Sequence, residues 1–590
     1  MTVEAPARPD RAARTLLTLA AVAVAFAAAD TYVVVLALPD MMTSAGIGLD
    51  ELQRAAPIVS GFLLGYVAVL PLIGRIADLR GRTPVLLGSL VIFAFGSVVT
   101  AASYDLGWMV AGRFLQGLGG GGLVPATLAL VADLWPPHRR GVPLGVVGAV
   151  QEIGAVVGPL YGAVVLAVGD WRAIFWLNCA VGLVLAAALL AIRGGSRDGA
   201  DDSSDGPART GLPDVVGGLL AVLTTASLAL VLAEPAAIAN DVEMGRIFLP
   251  VVGESRWTSP AALVVYGLAL AFVVRELTAR RPLVALRTWP ATARDVDLGG
   301  ALLLGAALGC VIVSFASADP EQAAVSEAAV VLLPAAGVLL VGFVWRQRRA
   351  RRPLVPGSAV GPRPAWGALL TSFLVGAALI AALVDIPFFA RLTDPGSSQL
   401  EAALVLLRFL VAVPVGAVVG GWALRFRGPA LVTAVGMAAA SASFFVMASW
   451  EAGALDRLGA TVVLVVAGLG FGLALAPVNA ALLDATPTEV HGVASALVVV
   501  ARMVGMLVGI SVLTTLGLRA YYDAAAKIPS VDALCGEGAK VCDAYNDALI
   551  DAGVAQLSAV FTGAAVCAAL AAVAAASLLR SGRTVSSADL

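Results

Sequence analysis

Apolar runs of about twenty residues recur along this chain with almost no charge inside them, and a run of that kind has one conformation open to it. Hydrocarbon offers no water to the backbone, so each run must satisfy its own N–H and C=O groups as a helix across the bilayer. Composition agrees: of 590 residues, 59% are hydrophobic and 13% charged. The period-two alternation of a membrane β-barrel is absent. The chain reads as an all-α polytopic membrane protein.

Spans are expected near residues 14–36, 56–76, 84–103, 107–132, 142–167 and 172–193, then 213–233, 259–275, 298–317 and 326–345, and finally 365–389, 402–423, 429–449, 460–478, 493–517 and 557–579. The sixteen runs group as six, four and six. Lys and Arg favour cytoplasmic loops. Arg8, Arg11 and Arg14, then Arg75, Arg80 and Arg82, then Arg139 and Arg140, then Arg346, Arg348, Arg349, Arg351 and Arg352 fall on one side, while Asp40, Asp50, Glu51, Asp319, Glu321 and Glu327 fall on the other. Both termini are therefore expected in the cytoplasm, with the chain in the plasma membrane. The stretch from Asp484 to His491 belongs on the arginine side yet has no Lys or Arg. The first run is too long for a cleaved signal and leads straight into further spans, so it is expected to be retained.

The hexapeptide "ARRPLV" occurs at Ala279 to Val284 and again at Ala350 to Val355, and "DVVGGLLA" at Asp214 is echoed by "DLGGALLL" at Asp297. A duplicated helical hairpin accounts for both. The expected organisation is a six-helix bundle (1–193), a cytoplasmic linker (194–212), two central hairpins (213–284 and 285–355), a second six-helix bundle (364–580) with a long outside loop (518–556), and a cytoplasmic tail (581–590). Two bundles around a central cavity are the organisation of alternating-access transporters.

Other classes are excluded in turn. No basic groove suggests nucleic acid, and the glycine run Gly117–Gly122 lies inside an apolar stretch with no lysine after it, so it is no phosphate loop. No Ser, Cys or His stands in an activated constellation, so enzyme chemistry, a cofactor and a metal are not expected. Nothing demands an oligomer, and a monomer is expected. Cys179, Cys310 and Cys567 lie in or beside spans as small apolar packers, whereas Cys535 and Cys542 share the outside loop, where a local disulfide is expected over two unpaired thiols. His138 and His491 are expected to be plain loop residues, Asp385 a boundary residue, and Arg408 a side chain reaching for the interface. The penultimate run is expected to continue as helix to about residue 527, well beyond the bilayer.

The loop "GRIADLRGRTP", Gly74 to Pro84, resembles the signature of the major facilitator superfamily. Its glycines permit a tight turn, and Asp78 can hold the positive N-terminal end of a helix in the other half. Gly74, Asp78, Arg80, Gly81 and Arg82 are thus candidates for a conformational latch. Leu79 and Thr83 depart from the family pattern, which weakens the latch or shifts it onto Arg80. "QEIGAVVGPLYG" resembles the superfamily's antiporter motif at Gly154, Gly158, Pro159 and Gly162, where small residues let helices approach and the proline adds a bend. With "DWRAIFWLN" at Asp170 to Asn178 and the central insert, these motifs point to the fourteen-span drug:proton antiporter branch.

Within that branch, "DTYVVV" at Asp30, "TLALVADLW" at Thr127, "ALVDIPFF" at Ala382 and "HGVASALVVVARMVGMLVG" at His491 resemble the mycobacterial triacylglyceride exporters, which work with a periplasmic lipid-carrying lipoprotein. The resemblance covers both six-span halves and leaves the second hairpin without a family role. It implies a proton-coupling role for Asp30, Glu152 and Arg502. Arg113, the fourth candidate for proton coupling, lies inside an apolar run and needs a partner or water, because a lone charge at midplane costs about 2.5 to 3.5 kcal/mol. The expected function is proton-driven export of a hydrophobic lipid. A multidrug:proton antiporter for amphipathic cations is the alternative, and a non-transporting scaffold has no use for buried acids.

Overall fold

The structure, a computed structural model, describes residues 11–47, 52–195, 214–279, 282–284, 286–316, 326–394, 399–535 and 542–580. The expected tail (581–590), nearly all of the linker (194–212), and Asp50, Glu51, Asp319 and Glu321 lie outside the described residues.

Among the described residues every element is helical. The long helices are α1 (Arg11–Ser44), α2 (Leu52–Ala68), α3 (Leu70–Arg80), α4 (Arg82–Ala101), α5 (Leu106–Leu134), α6 (Gly141–Val168) and α7 (Trp171–Gly195). Four follow in the insert: α8 (Val215–Ala233), α9 (Pro260–Thr278), α10 (Leu298–Ala316) and α11 (Ala329–Arg349). The remainder are α12 (Arg363–Thr393), α13 (Gln399–Ala423), α14 (Pro429–Ala448), α15 (Leu458–Ala485), α16 (His491–Ala525) and α17 (Asp543–Leu578). Among the described residues fifteen helices are each long and apolar enough to cross a membrane, and a bent pair adds one more if it counts as one span. That pair is α2 and α3, expected as one span but broken at Val69 with a bend of 40°. Pro71 explains the break, since it supplies no N–H to the ladder and crowds the preceding turn.

In the N-terminal half α1 packs on α6, α2 on α5, and α4 on α5 and α7; in the C-terminal half α13 packs on α15, α14 on α15 and α17, and α12 on α16 and α17. The halves meet along two seams, with α3 and α5 against α16 on one flank and α6 against α13 and α15 on the other. One core cluster crosses the first seam, joining Leu70 and Ala77 to Ala496 and Val499. Valines such as Val164, Val222, Val330 and Val341 stay exposed on outward faces, as helices bathed in lipid require.

The hexapeptide marks the same fastening in both hairpins. Asp214 pairs with Arg275 at 2.8 Å and Asp297 with Arg346 at 2.6 Å, so the start of each hairpin is tied to its return helix. The Arg275 guanidinium holds the Asp214 carboxyl below the usual carboxylate range. One residue on, Glu276 accepts from the N–H groups of Leu283 and Val284 at 3.1 and 2.8 Å, and Gln347 accepts from Leu354 N–H at 3.0 Å and donates to Val355 C=O at 3.4 Å. Both clamps stand three residues ahead of the hexapeptide's alanine and hold its final Leu–Val. Arg280 and Arg281 of the first copy lie outside the described residues.

The two hairpins occupy different places. The first leans on α4: Leu232 packs with Val99 and Ala102, and Trp257 meets Trp108 with ring centroids 5.0 Å apart. In the second, α10 packs against both α2 and α16 and so covers the first seam, with Leu304, Leu308 and Ile312 joining the core there.

Glu276 is fully buried, and its loss strands two N–H groups. Glu276→Ala is expected to cost about 1–3 kcal/mol and lower the melting temperature of the purified protein. Glu276→Gln, which imitates the second hairpin, is expected to recover most of it; equal melting of the alanine and wild-type proteins would contradict the clamp.

Candidate functional site

A buried polar network occupies the middle of the N-terminal half. Arg113 on α5 donates through Nη1 to Asp30 Oδ2 on α1 at 2.8 Å and to Gln116 Oε1 at 3.0 Å. Asn178 on α7 donates to the other Asp30 oxygen, and the Tyr161 hydroxyl on α6 donates to Asn178 Oδ1 at 3.1 Å. Gln116 is held in turn by Ser97 at 2.9 Å and Thr100 at 3.3 Å, both on α4. The guanidinium lies 4.4 Å from the Phe62 ring centroid and 5.8 Å from that of Phe175. Asp30 is 0% and Arg113 1% exposed, so this is a dry ion pair roofed by aromatic faces. Five helices converge on one carboxylate. Sequence reasoning missed Gln116, Asn178 and Tyr161, although Gln116 stands three residues from Arg113 on one helical face and Asn178 closes the quoted motif.

The four expected coupling residues fall into two sets. Asp30 and Arg113 form the pair just described. Arg502 lines a separate cavity between the halves, and its charge acts on Glu152 through space. Val124, Leu128, Val147, Val375 and Leu475 make that cavity mainly apolar, and Gln151, Ser372 and Asn479 are its few polar residues besides Arg502. Asn479 donates to Leu475 C=O at 2.9 Å, while its buried Oδ1 has no hydrogen-bond partner among the described residues.

The arginine-rich face is closed by a second network. Asp78 accepts from Gly492 N–H at 2.7 Å and Val493 N–H at 3.0 Å, so a carboxylate from α3 caps the first turn of α16 in the other half. Arg82 binds Asp78 at 2.7 Å and Asp133 at 3.3 Å, and donates to Thr488 C=O at 3.3 Å. Gly74 and Gly492 make this approach feasible, since a Cβ on Gly74 would stand 2.5 Å from Gly492 O. Gly81 turns the chain between α3 and α4 at φ +88°, a conformation that favours glycine.

Arg80 departs from expectation: it does not join the latch. It donates through Nε to Thr292 at 2.8 Å and lies 5.3 Å from the Trp289 ring centroid, both in the short helix Trp289–Asp295 between the hairpins. The segment between the hairpins engages Arg80, and among the described residues Arg82 makes the ion pair with Asp78. On the second seam, Arg140 reaches Asp484 at 3.3 Å. The loop from Asp484 to His491 thus receives its positive charge from Arg140 and Arg82 of the other half, which accounts for its lack of basic residues.

His491 is a second correction. It is buried, with Nε2 3.0 Å from the carbonyls of Leu483 and Thr486, because the start of α16 is pressed against the end of α15; His138 is exposed. Arg408, expected to reach for the interface, instead donates to Thr461 on α15 at 2.9 Å. Asp385 is half-buried. In the antiporter motif Gly154 and Gly158 sit directly on the backbone of Ala25 and Ala29, which draws α6 onto α1. Cys535 and Cys542 form a disulfide ahead of α17. Among the described residues no cluster of His, Cys, Asp and Glu could hold a metal ion.

The family model of the Major Facilitator Superfamily matches residues 20–510. A triacylglyceride transporter of Mycolicibacterium hassiacum is 35% identical over 87% of this chain and 81% of its own length. Triacylglyceride transporters of Mycobacteroides abscessus and Mycobacterium tuberculosis are each 34% identical, over 85% and 86% of this chain and 81% and 83% of their own lengths. Among solved structures, the human organic anion transporter MFSD10 aligns with a TM-score of 0.52 at 14% identity, covering 97% of this chain and 100% of its own. A double-tryptophan mutant of XylE gives 0.51 at 14%, covering 95% and 94%. These two bear on the fold alone.

Arg113→Ala leaves a buried carboxylate unpaired and is expected to cost about 3–5 kcal/mol, read as a fall in melting temperature, whereas Asp30→Asn with Arg113→Gln is expected to cost much less. At the latch, Gly74→Ala drives a methyl into Gly492 O. In a background lacking Cys179, Cys310 and Cys567, a cysteine at buried Ser495 is expected to react faster with a water-soluble thiol reagent once Gly74→Ala is added; an unchanged rate would disconnect Gly74 from the closure.

Proposed function

The chain belongs to the major facilitator superfamily, and on that premise we propose that it is a proton-coupled exporter of a triacylglyceride-like lipid, working by alternating access in the plasma membrane with both termini cytoplasmic. The observation that carries the reading is the Asp30–Arg113 pair. A carboxylate that changes charge where water is excluded alters the balance of five helices at once. Protonation of Asp30 neutralises it and releases Arg113 toward Gln116. Loss of the proton on the other side restores the pair. The proton gradient supplies the energy, and no cofactor takes part.

The cargo assignment rests on the relatives named as triacylglyceride transporters and on the cavity's mainly apolar wall. Such a wall suits acyl chains, while Gln151 and Arg502 offer donors to ester carbonyls. Asp78 and Arg82 hold the arginine-rich face shut in this conformation, and their release would admit lipid there. Extension of α16 to Ala525 and of α17 from Asp543 gives a periplasmic lipid-carrying lipoprotein a surface to meet.

The test is intracellular triacylglyceride in a mycobacterial strain lacking its own exporter, complemented with wild type or Asp30→Asn at matched membrane expression. Wild type is expected to clear the accumulated lipid and the variant to leave it. Failure of both, with wild type still lowering ethidium retention, would replace the lipid reading by multidrug antiport.

A further inference from the structure

Where α6 and α13 meet at the arginine-rich face, the second seam opens into a cleft that the transport reading does not use. From one half it is lined by Pro137, His138, Arg139, Gly141 and Val142, and from the other by residues between Gly421 and Pro429, with Ala480 and Asp484 behind. Arg139, Arg425 and Arg427 are exposed there and form no ion pair among the described residues. The one carboxylate on the wall, Asp484, is already engaged by Arg140. Three arginines therefore line one cleft without an ion pair among the described residues. α6 and α14 also begin at its edge without a side-chain cap.

The surroundings identify the anion's carrier. α13 exposes Val411, Val415, Val418, Val419 and Trp422 along one face that leads to Phe426 at the rim, and across the seam α6 exposes Val146, Ile153 and Val157. Trp422 and Phe426 meet edge to face with ring centroids 4.8 Å apart while both stay exposed, as aromatic residues do at the level of lipid headgroups. An apolar track ending in unpaired arginines at an aromatic rim matches one molecule, with acyl chains along the track and a phosphate at its end.

We propose that this cleft is a headgroup site for an anionic phospholipid, shared by the two halves of the transporter. The halves touch just beneath it: a Cβ on Gly141 would lie 2.4 Å from Gly421 O, so parting the seam at this end splits the cleft between its arginines. A lipid seated there holds Arg139 of one half to Arg425 and Arg427 of the other. It binds the closed face and not the open one, separately from any cargo in the central cavity.

The experiment is native mass spectrometry of the full-length protein in detergent, offered phosphatidylglycerol or phosphatidylcholine. Wild type is expected to retain phosphatidylglycerol preferentially, the combined Arg139→Ala, Arg425→Ala and Arg427→Ala variant to lose that preference about tenfold, and the corresponding triple Lys variant to keep most of it. Should the alanine variant fail to fold, the single Arg427→Glu variant is expected to show the same loss. An alanine variant that folds and keeps the wild-type preference overturns the site. Inorganic phosphate provides the other arm: it is expected neither to displace the lipid nor to raise the melting temperature. If phosphate alone stabilises the protein through these arginines while phosphatidylglycerol is not retained, the site is for a soluble anion and the lipid assignment falls. Triacylglyceride clearance does not enter either readout, so the cargo reading stands or falls on its own test.

Discussion

A guanidinium inside a dry helix bundle must be answered at once by a carboxylate and by hydrogen-bond acceptors, and in this chain that demand organises the N-terminal half. Arg113 draws Asp30 from α1 and Gln116 from its own helix; Asp30 draws Asn178, and Asn178 draws Tyr161. Each polar residue is costly alone in hydrocarbon and inexpensive beside the next. Any event that removes charge from Asp30 therefore changes the conditions under which five helices pack.

The halves use the same logic at their contacts, with backbone as one partner. Asp78 answers two unpaired N–H groups at the start of α16, and Arg82 answers Asp78, Asp133 and a carbonyl before α16. Arg82 and Asp78 are themselves buried, with 8% and 1% of their side chains exposed, so these bonds too are made away from water.

Much of this was legible in the sequence. Hydrocarbon thickness forces runs of about twenty apolar residues, so the helices announced themselves, and a charge that breaks such a run, as at Asp30, Arg113, Glu152 and Arg502, marks a position under constraint. Asp78 could be read as a cap because its loop has a recognisable pattern. Partner choice was not legible. Whether Arg113 met Asp30 or Glu152 depends on helix rotation that periodicity does not fix, and Gln116 looked like one polar residue among many. The bend at Val69 was signalled by Pro71 and passed over because the apolar run continues through it. Arg80 was misplaced for a different reason. Its partners Thr292 and Trp289 belong to the extra hairpin's approach, a segment with no counterpart in the pattern used to read the loop. His491 shows that a position between two spans need not be exposed, since its ring packs under the carbonyls of Leu483 and Thr486.

α16 carries Gly492 at one end and runs as a single helix to Ala525, about 50 Å away at 1.5 Å per residue. Such a rod is a lever. A tilt of about 5° around its midpoint moves each end by about 2 Å, enough to break the bonds from Asp78 to Gly492 and Val493 at one end. The far end sweeps the same distance in the opposite sense, and its packing against α17 carries the stroke to a second long helix. A partner resting on that far end could read the state of the opposite face without touching it, and could by pushing back set how readily that face opens.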